Sequence, residues 1–243
     1  AHMLDLAPGF GVHPGEKRID GRAVMTRVRG ERDRFVGFVL ESVESFPMED
    51  RIRGHARFTG PHTLQIDDHT EIEAARIVIA TGSRPSPLPD NPFAGALIDS
   101  TQALELDTFP SSAVIIGAGA VALEFASMWR TAGCDVTLLI RKDRVLSAWE
   151  RRTSATLTRE LKRRGVNIIT HSHVTHVETG ANLGATVHYT REGSEADMSA
   201  YGEVVLAAIG RIPNTDADWF EACKLERDAR GLIGIDASGR TNL

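Results

Sequence analysis

Residues 114–124 read Val-Ile-Ile-Gly-Ala-Gly-Ala-Val-Ala-Leu-Glu: a short β-branched run, then Gly117, Gly119 and Ala122 in the spacing G-x-G-x-x-A, then a helical apolar repeat. Together these make a phosphate site. A glycine at 117 lets the chain turn sharply off a strand. A glycine at 119 removes the side chain where an anion must reach backbone N–H groups. Ala122 lets the next helix lie close to the sheet, and the first turn of that helix offers free N–H donors and partial positive charge. It is the flanking strand and helix, more than the glycines alone, that point to a dinucleotide.

The following strand, Asp135–Ile140 (D-V-T-L-L-I), ends about 20 residues beyond the glycines, where a free ribose 2′-hydroxyl calls for Asp or Glu. Ile140 stands there, followed by Arg141 and Lys142. Two cations in place of a carboxylate suit a 2′-phosphate, which an Arg fork holds through charge-assisted hydrogen bonds. The residues therefore favour NADP(H) over NAD(H). The alternative that Arg141 and Lys142 are only solvated loop charges stays open, and Asp143 next to them is itself a potential ribose partner.

These residues need a sheet to position them. From Val114 the chain alternates strand and helix: Val114–Ile116, helix Val121–Ala132, Val136–Ile140, helix Arg152–Arg164, Val166–Thr170. This βαβαβ order implies a parallel sheet with right-handed crossovers, and helices are expected on both of its faces. Val174–Val177 and Ala185–Tyr189 read as an antiparallel hairpin region and Glu203–Ile209 as another buried strand. Upstream, residues 20–46 carry apolar residues at helical spacing (Val24, Val28, Phe35, Phe38, Val39, Val43), with Arg and Glu on the remaining face. Ile52–Phe58, Thr63–Asp67 and Ile72–Ile79 look like short strands, Pro85 to Pro92 a stiff connection, and Thr101–Leu106 a short helix.

Composition narrows the classes. The chain has 243 residues, 28 Lys and Arg against 33 Asp and Glu, and a formal charge of −5, so no basic footprint for nucleic acid or anionic membrane is present. No run approaches membrane-spanning length. The opening Ala-His-Met reads as a cloning scar. Cys134 and Cys223 are far apart and form no C-x-x-C, so both read as structural thiols in a reducing cytoplasm. His171, His173 and His176 lie close in sequence, but no neighbouring Cys or carboxylate completes a metal site.

Three motifs in order resemble the pyridine-nucleotide–disulfide oxidoreductases, the family of dihydrolipoamide dehydrogenase, glutathione reductase and mercuric reductase. Ile77-Val-Ile-Ala-Thr-Gly-Ser83 resembles the A-T-G segment at the end of the flavin domain. Val114–Glu124 resembles the nicotinamide-nucleotide fingerprint, and Ala208-Ile-Gly-Arg-Ile-Pro-Asn214 the G-R-x-P-N segment where the chain leaves the nucleotide domain. Ile98–Leu106 is similar to the linker between them. The resemblance implies an α/β fold: a Rossmann-like NAD(P)-binding domain (parallel sheet with helices and a β-meander) over 111–230, plus a partial FAD-domain segment. Residues 1–3 are the scar. Residues 4–110 would be the trailing part of the FAD domain, with its helix, β-meander and linker, and 231–243 a return toward it.

The resemblance also implies roles. Gly117, Gly119 and Ala122 would hold the pyrophosphate, and Glu124 would face the flavin–nicotinamide junction. Gly210 would lie by the nicotinamide half, Val174 against the adenine, and Thr81 and Gly82 near the flavin. Each has a plainer alternative: a helix-start acid at 124, a turn glycine at 210, a core valine at 174. The parent would be an FAD-dependent, homodimeric, cytoplasmic flavoprotein moving electrons between NAD(P)H and a lipoyl or other disulfide substrate. The family's flavin G-x-G-x-x-G, its C-x-x-x-x-C and its C-terminal dimerisation domain are not found here. The chain therefore reads as a fragment with no catalytic residue and no metal of its own. Its helix 20–46 and strands 52–79 are expected to expose apolar faces and open edges. A flavin NAD(P)H oxidase without a redox disulfide, or a stand-alone dinucleotide-binding module, stay open.

Overall fold

The computed structural model describes residues 2–16, 18–180 and 184–243; Ala1 of the opening tripeptide lies outside it. The chain forms two compact units, Ala1–Asp33 with Pro85–Gly210, and Arg34–Arg84 with Arg211–Leu243.

The first unit is built on a five-stranded parallel sheet. Its strands run in the order Leu97–Ile98, Val204–Ala207, Ser112–Ile116, Asp135–Leu139, Asn167–Ile169. Val114, Ile115, Val205 and Leu206 are completely buried, as a strand covered on both faces requires. Alternation assigns the faces. Ala113, Ile115, Val136 and Leu138 meet Ala122, Leu123, Phe125, Ala126 and Trp129 of the helix Ala120–Thr131 and Leu161 of the helix Arg151–Arg163. Val114, Ile116 and Leu139 meet Ala185, Val187 and Tyr189 on the other side.

That second side is a correction. Helices cover only one face. The other is covered by a three-stranded antiparallel meander, Ser172–Thr179, Ala185–Arg191 and Ser194–Gly202. The alternation of Ala185, Val187 and Tyr189 gives the middle strand an apolar side wide enough to seal the sheet without a helix. The third meander strand escapes sequence reading because S-E-A-D-M-S-A-Y-G contains no β-branched residue.

The second unit holds a small antiparallel sheet, Ala56–Gly60, Thr63–Ile66 and Thr70–Glu73. The helix Asp218–Ala222 sets Trp219 against Phe58, with ring centroids 5.4 Å apart. The strand expected over Ile72–Ile79 stops at Glu73, and Val78 is 90% exposed. Residues 76–80 have the composition of a strand, but no neighbouring strand among the described residues takes their hydrogen bonds, and β-propensity acts only through such pairing.

A 24-residue helix, Gly21–Glu44, precedes these elements. Its first half is fitted closely. Met25 is buried, Arg29 donates to the Leu106 carbonyl (3.1 Å), and Arg32 pairs with Glu105. A Cβ at Gly21 would come within 2.3 Å of Thr108 Oγ1, so only glycine allows this approach. The second half leaves Phe35, Phe38, Val39, Leu40 and Val43 exposed, as expected of a helix with an uncovered apolar face.

Candidate functional site

The carboxyl ends of the parallel strands define the site. The chain leaves Ser112–Ile116 and builds Asp135–Leu139 and then Asn167–Ile169 on one side, while Val204–Ala207 returns on the other. The strand order reverses there, and ligands of open α/β sheets bind in the crevice beyond such a point.

The two fingerprint glycines do different work. Gly117 has φ +134°, and a Cβ on it would lie 2.3 Å from the carbonyl oxygen of Ala208 and 3.6 Å from the Ala122 methyl. The fold itself therefore needs glycine at 117 and a small residue at 122. Gly119 caps the helix Ala120–Thr131 at an ordinary φ of −84°, and a Cβ on it would meet nothing within 4 Å. The helix start has no side-chain cap, so its first N–H groups open onto the space left above Gly119. An anion is what such a start accommodates. Gly210 follows the adjacent strand at the same edge, with φ +137° and open space in place of a side chain, its carbonyl accepting the Ser86 N–H at 3.0 Å. Glu124 is exposed on the second turn of the helix.

At the next strand end, Ile140 is fully buried in the helix-side core. Arg141 and Lys142 follow it, both exposed. Asp143 is taken up by Arg144 (3.0 Å), whose other nitrogen donates to the Ser147 carbonyl at 2.8 Å. Arg144 holds the Asp143 carboxyl below the usual carboxylate range. Leu146 N–H donates to the Ala118 carbonyl at 2.8 Å, tying this loop to the glycine turn. Val174 is half-buried against the meander-side core, so packing alone accounts for its type. The structure thus gathers Gly117, Gly119, Ala122, Gly210, Arg141 and Lys142 along one sheet edge. Thr81 and Gly82 belong to the other unit.

Residues 41–243 match the family described as pyridine nucleotide-disulphide oxidoreductase. The chain belongs to this family.

Dihydrolipoyl dehydrogenase from Chlamydia pneumoniae is 30% identical over 243 residues, covering 98% of this chain and 50% of that protein. The enzyme of the same name from Geobacillus stearothermophilus is 33% identical over 195 residues, 79% of this chain and 41% of its own length. Among solved structures, the HOCl-induced flavoprotein disulfide reductase RclA from Escherichia coli superposes with a TM-score of 0.67 at 28% identity, over 79% of this chain and 43% of the reductase. The chain spans about half the length of the curated relatives it matches.

The family's two remaining motifs meet within the second unit, in a clasp that sequence reasoning missed. Asn214 donates from its backbone N–H to the Gly82 carbonyl (3.0 Å) and from its side chain to the Thr81 carbonyl (3.0 Å). Its oxygen accepts from Arg84 (3.0 Å), which forks onto both carboxylate oxygens of Asp216 at 3.2 and 2.6 Å. Gly82 turns at φ +75°. Each motif is legible alone, but nothing in the spacing of A-T-G-S-R and R-I-P-N-T-D says that they bond to each other.

Uncapped helix start and open Gly119 fit the pyrophosphate of a pyridine nucleotide. Thr81 and Gly82 spend their carbonyls on Asn214, and the described residues provide no second glycine turn onto a helix, so they do not by themselves fit a flavin pyrophosphate. Cys134 is a buried free thiol, pushed up to about 12 chiefly by burial, and Cys223 is free and half-buried. The histidines do not converge: His171 bonds to Glu192, His176 stacks on His188 with centroids 4.2 Å apart, and no group of three metal-ligating side chains occurs among the described residues.

Proposed function

We propose that this chain supplies the nicotinamide-nucleotide site of a dihydrolipoyl-dehydrogenase-like flavoprotein that moves electrons between NAD(P)H and a disulfide or dithiol. Gly119 carries the reading: its open space above an uncapped helix start, at the switch point of the sheet, is where a pyrophosphate approaches N–H groups. Glu124 and Gly210 would line the nicotinamide half, Val174 the adenine, and Thr81 and Gly82 would lie toward the flavin side of the parent. Flavin, bound in that parent, would exchange electrons with the nicotinamide. This chain's own residues bind and orient the nucleotide. The parent is read as a homodimer. Its setting is read as cytoplasmic; no described helix is long and apolar enough to cross a membrane.

For the nucleotide we favour NADP(H). Buried Ile140 leaves no carboxylate at the strand end, Arg144 engages Asp143, and Arg141 and Lys142 are exposed with no ion-pair partner among the described residues.

Calorimetric titration of wild type and Gly119→Val with NADPH and NADH tests both points. Wild type should prefer NADPH about tenfold or more, since one charge-assisted hydrogen bond contributes about 1.5–3 kcal/mol. Gly119→Val should weaken both nucleotides at least tenfold at an unchanged melting temperature. Undiminished binding by the variant would sink the pyrophosphate assignment, and equal wild-type affinities would sink the NADP(H) reading.

A further inference from the structure

We propose that Arg191, from the meander, is a third cation for the 2′-phosphate and a specificity-determining residue for the nucleotide. This rests on the NADP(H) reading above. The observation behind it is how the Arg141–Lys142 loop is anchored. It is tied to the start of the meander at two places: the Ser172 N–H donates to the Ile140 carbonyl at 3.0 Å, and the His171 N–H donates to the Lys142 carbonyl at 3.2 Å. His171 takes a left-handed φ of +55°, uncommon for a residue with a side chain. It is held there twice by Glu192: the Glu192 N–H donates to the His171 carbonyl (2.9 Å), and His171 Nδ1 meets Glu192 Oε2 at 2.6 Å. The turn that begins at Arg191 is therefore fastened to the loop that carries Arg141 and Lys142.

Arg191 is the last residue of its strand and lies opposite Ser172 in the ladder. From the backbone of Lys142 to that of Arg191 is about two strand spacings, or roughly 10 Å. That is a gap which two long cationic side chains close on one phosphate. The guanidinium of Arg191, like the head groups of Arg141 and Lys142, has no hydrogen-bond or ion-pair partner among the described residues. Four other arginines of this unit are engaged, Arg130 with Asp135 and two carbonyls, Arg144 with Asp143, Arg163 and Arg164 with Glu160, whereas Arg152 and Arg159 on the surface helix are as unpartnered among the described residues as Arg191. A cavity of about 470 Å³ opens at this corner, lined by His171, Arg191, Glu192, Ser194 and Met198. Ser172 beside it is 4% exposed, and its hydroxyl has no hydrogen-bond partner among the described residues. Among the described residues of the wall, the acid is Glu192, whose carboxylate is hydrogen-bonded to His171.

The test compares 2′,5′-ADP with 5′-ADP, which differ only in the 2′-phosphate, by calorimetry on wild type, Arg191→Gln, Arg191→Lys and, as a charge control, Arg159→Gln, at low and physiological salt. Melting temperatures check that each variant folds. Arg191→Gln should weaken 2′,5′-ADP about tenfold and leave 5′-ADP within twofold, with the preference reduced less by Arg191→Lys and untouched by Arg159→Gln. A wild-type preference for 2′,5′-ADP that survives Arg191→Gln overturns the inference alone. Equal weakening of both nucleotides also overturns it, by making Arg191 a merely structural residue. A wild type that shows no preference, or no binding of 2′,5′-ADP, overturns the 2′-phosphate reading and this inference together.

Discussion

Gly117 and Gly119 sit two residues apart in one turn, yet the chain needs them for opposite reasons. At 117 the conformation is left-handed and the Ala208 carbonyl fills the place of a side chain. At 119 the backbone is ordinary and the place is empty. Gly117→Ala should cost about 3 kcal/mol from backbone strain and overpacking. For a protein of this size that lowers the melting temperature by roughly 5–10 °C. Gly119→Ala should leave it unchanged. A calorimetric scan of both variants checks the contrast, and similar losses at both positions would mean that glycine at 119 serves the fold. The cysteines differ in the same residue-level way. Burial of Cys134 favours the neutral thiol, which is the unreactive form. Native protein should therefore label with a thiol reagent at Cys223 alone, and Cys134 should react only after denaturation. Rapid double labelling of folded protein would contradict this.

At the scale of elements, the helix Arg151–Arg163 shows how local charge stabilises a surface segment. Glu150 accepts the N–H groups of Arg152 and Thr153, which lowers its pKa. Hydrogen bonds from Arg163 and Arg164 bring Glu160 down to about 2 from an ordinary 4.5. A carboxyl whose folded pKa is depressed contributes stability that is fully present above its unfolded value and lost as pH falls through the folded one. Asp216, held down by Arg84, follows the same sign. These groups are exposed, so each contribution is small and salt-sensitive. The melting temperature should be flat above about pH 5 and decline from there toward pH 2, and Glu160→Gln should flatten part of that decline at low salt. A decline that begins above pH 6, or a variant that follows wild type, would assign acid sensitivity elsewhere. The helix itself was readable, as Arg152–Arg164, from the alternation of strand and helix that begins at Val114. The meander strand Ser194–Gly202 was not, because Met198 and Ala200 pack inward from a sequence whose other residues favour turns. Residues 77–80 fail the other way: they have strand composition without a pairing partner.

Over the whole molecule, what could be read depended on how much of each interaction lies within one stretch of chain. The strand–glycine–helix turn is local, so its residues and their order announced it. The Arg84–Asp216–Asn214 clasp and the His171–Glu192 tie join distant segments through a few hydrogen bonds each, and no periodicity records them. The same distinction separates the two units in stability. In the first, the parallel sheet is sealed on both faces, and Val114, Ile115, Leu138, Val205 and Leu206 are inaccessible. In the second, the buried apolar residues among those described are Ile66, Phe220 and Leu225, while the helix through Phe35–Val43 presents its apolar residues to water. Amide exchange reports this difference directly, because protection follows the free energy of local opening. Amides of Ser112–Ile116, Asp135–Leu139 and Val204–Ala207 should be the slowest in the chain, exchanging only by global unfolding. Those of residues 56–73 should exchange at least a hundredfold faster, and the amides after Phe35 in the long helix faster than those near Met25. Lysine at Phe35 and Phe38 should reduce binding of a hydrophobic dye with no loss in melting temperature. Uniform protection across both units would show that residues 34–84 are buried by contacts not seen in this structure, such as a second copy of the chain, and sedimentation at two concentrations would then detect it.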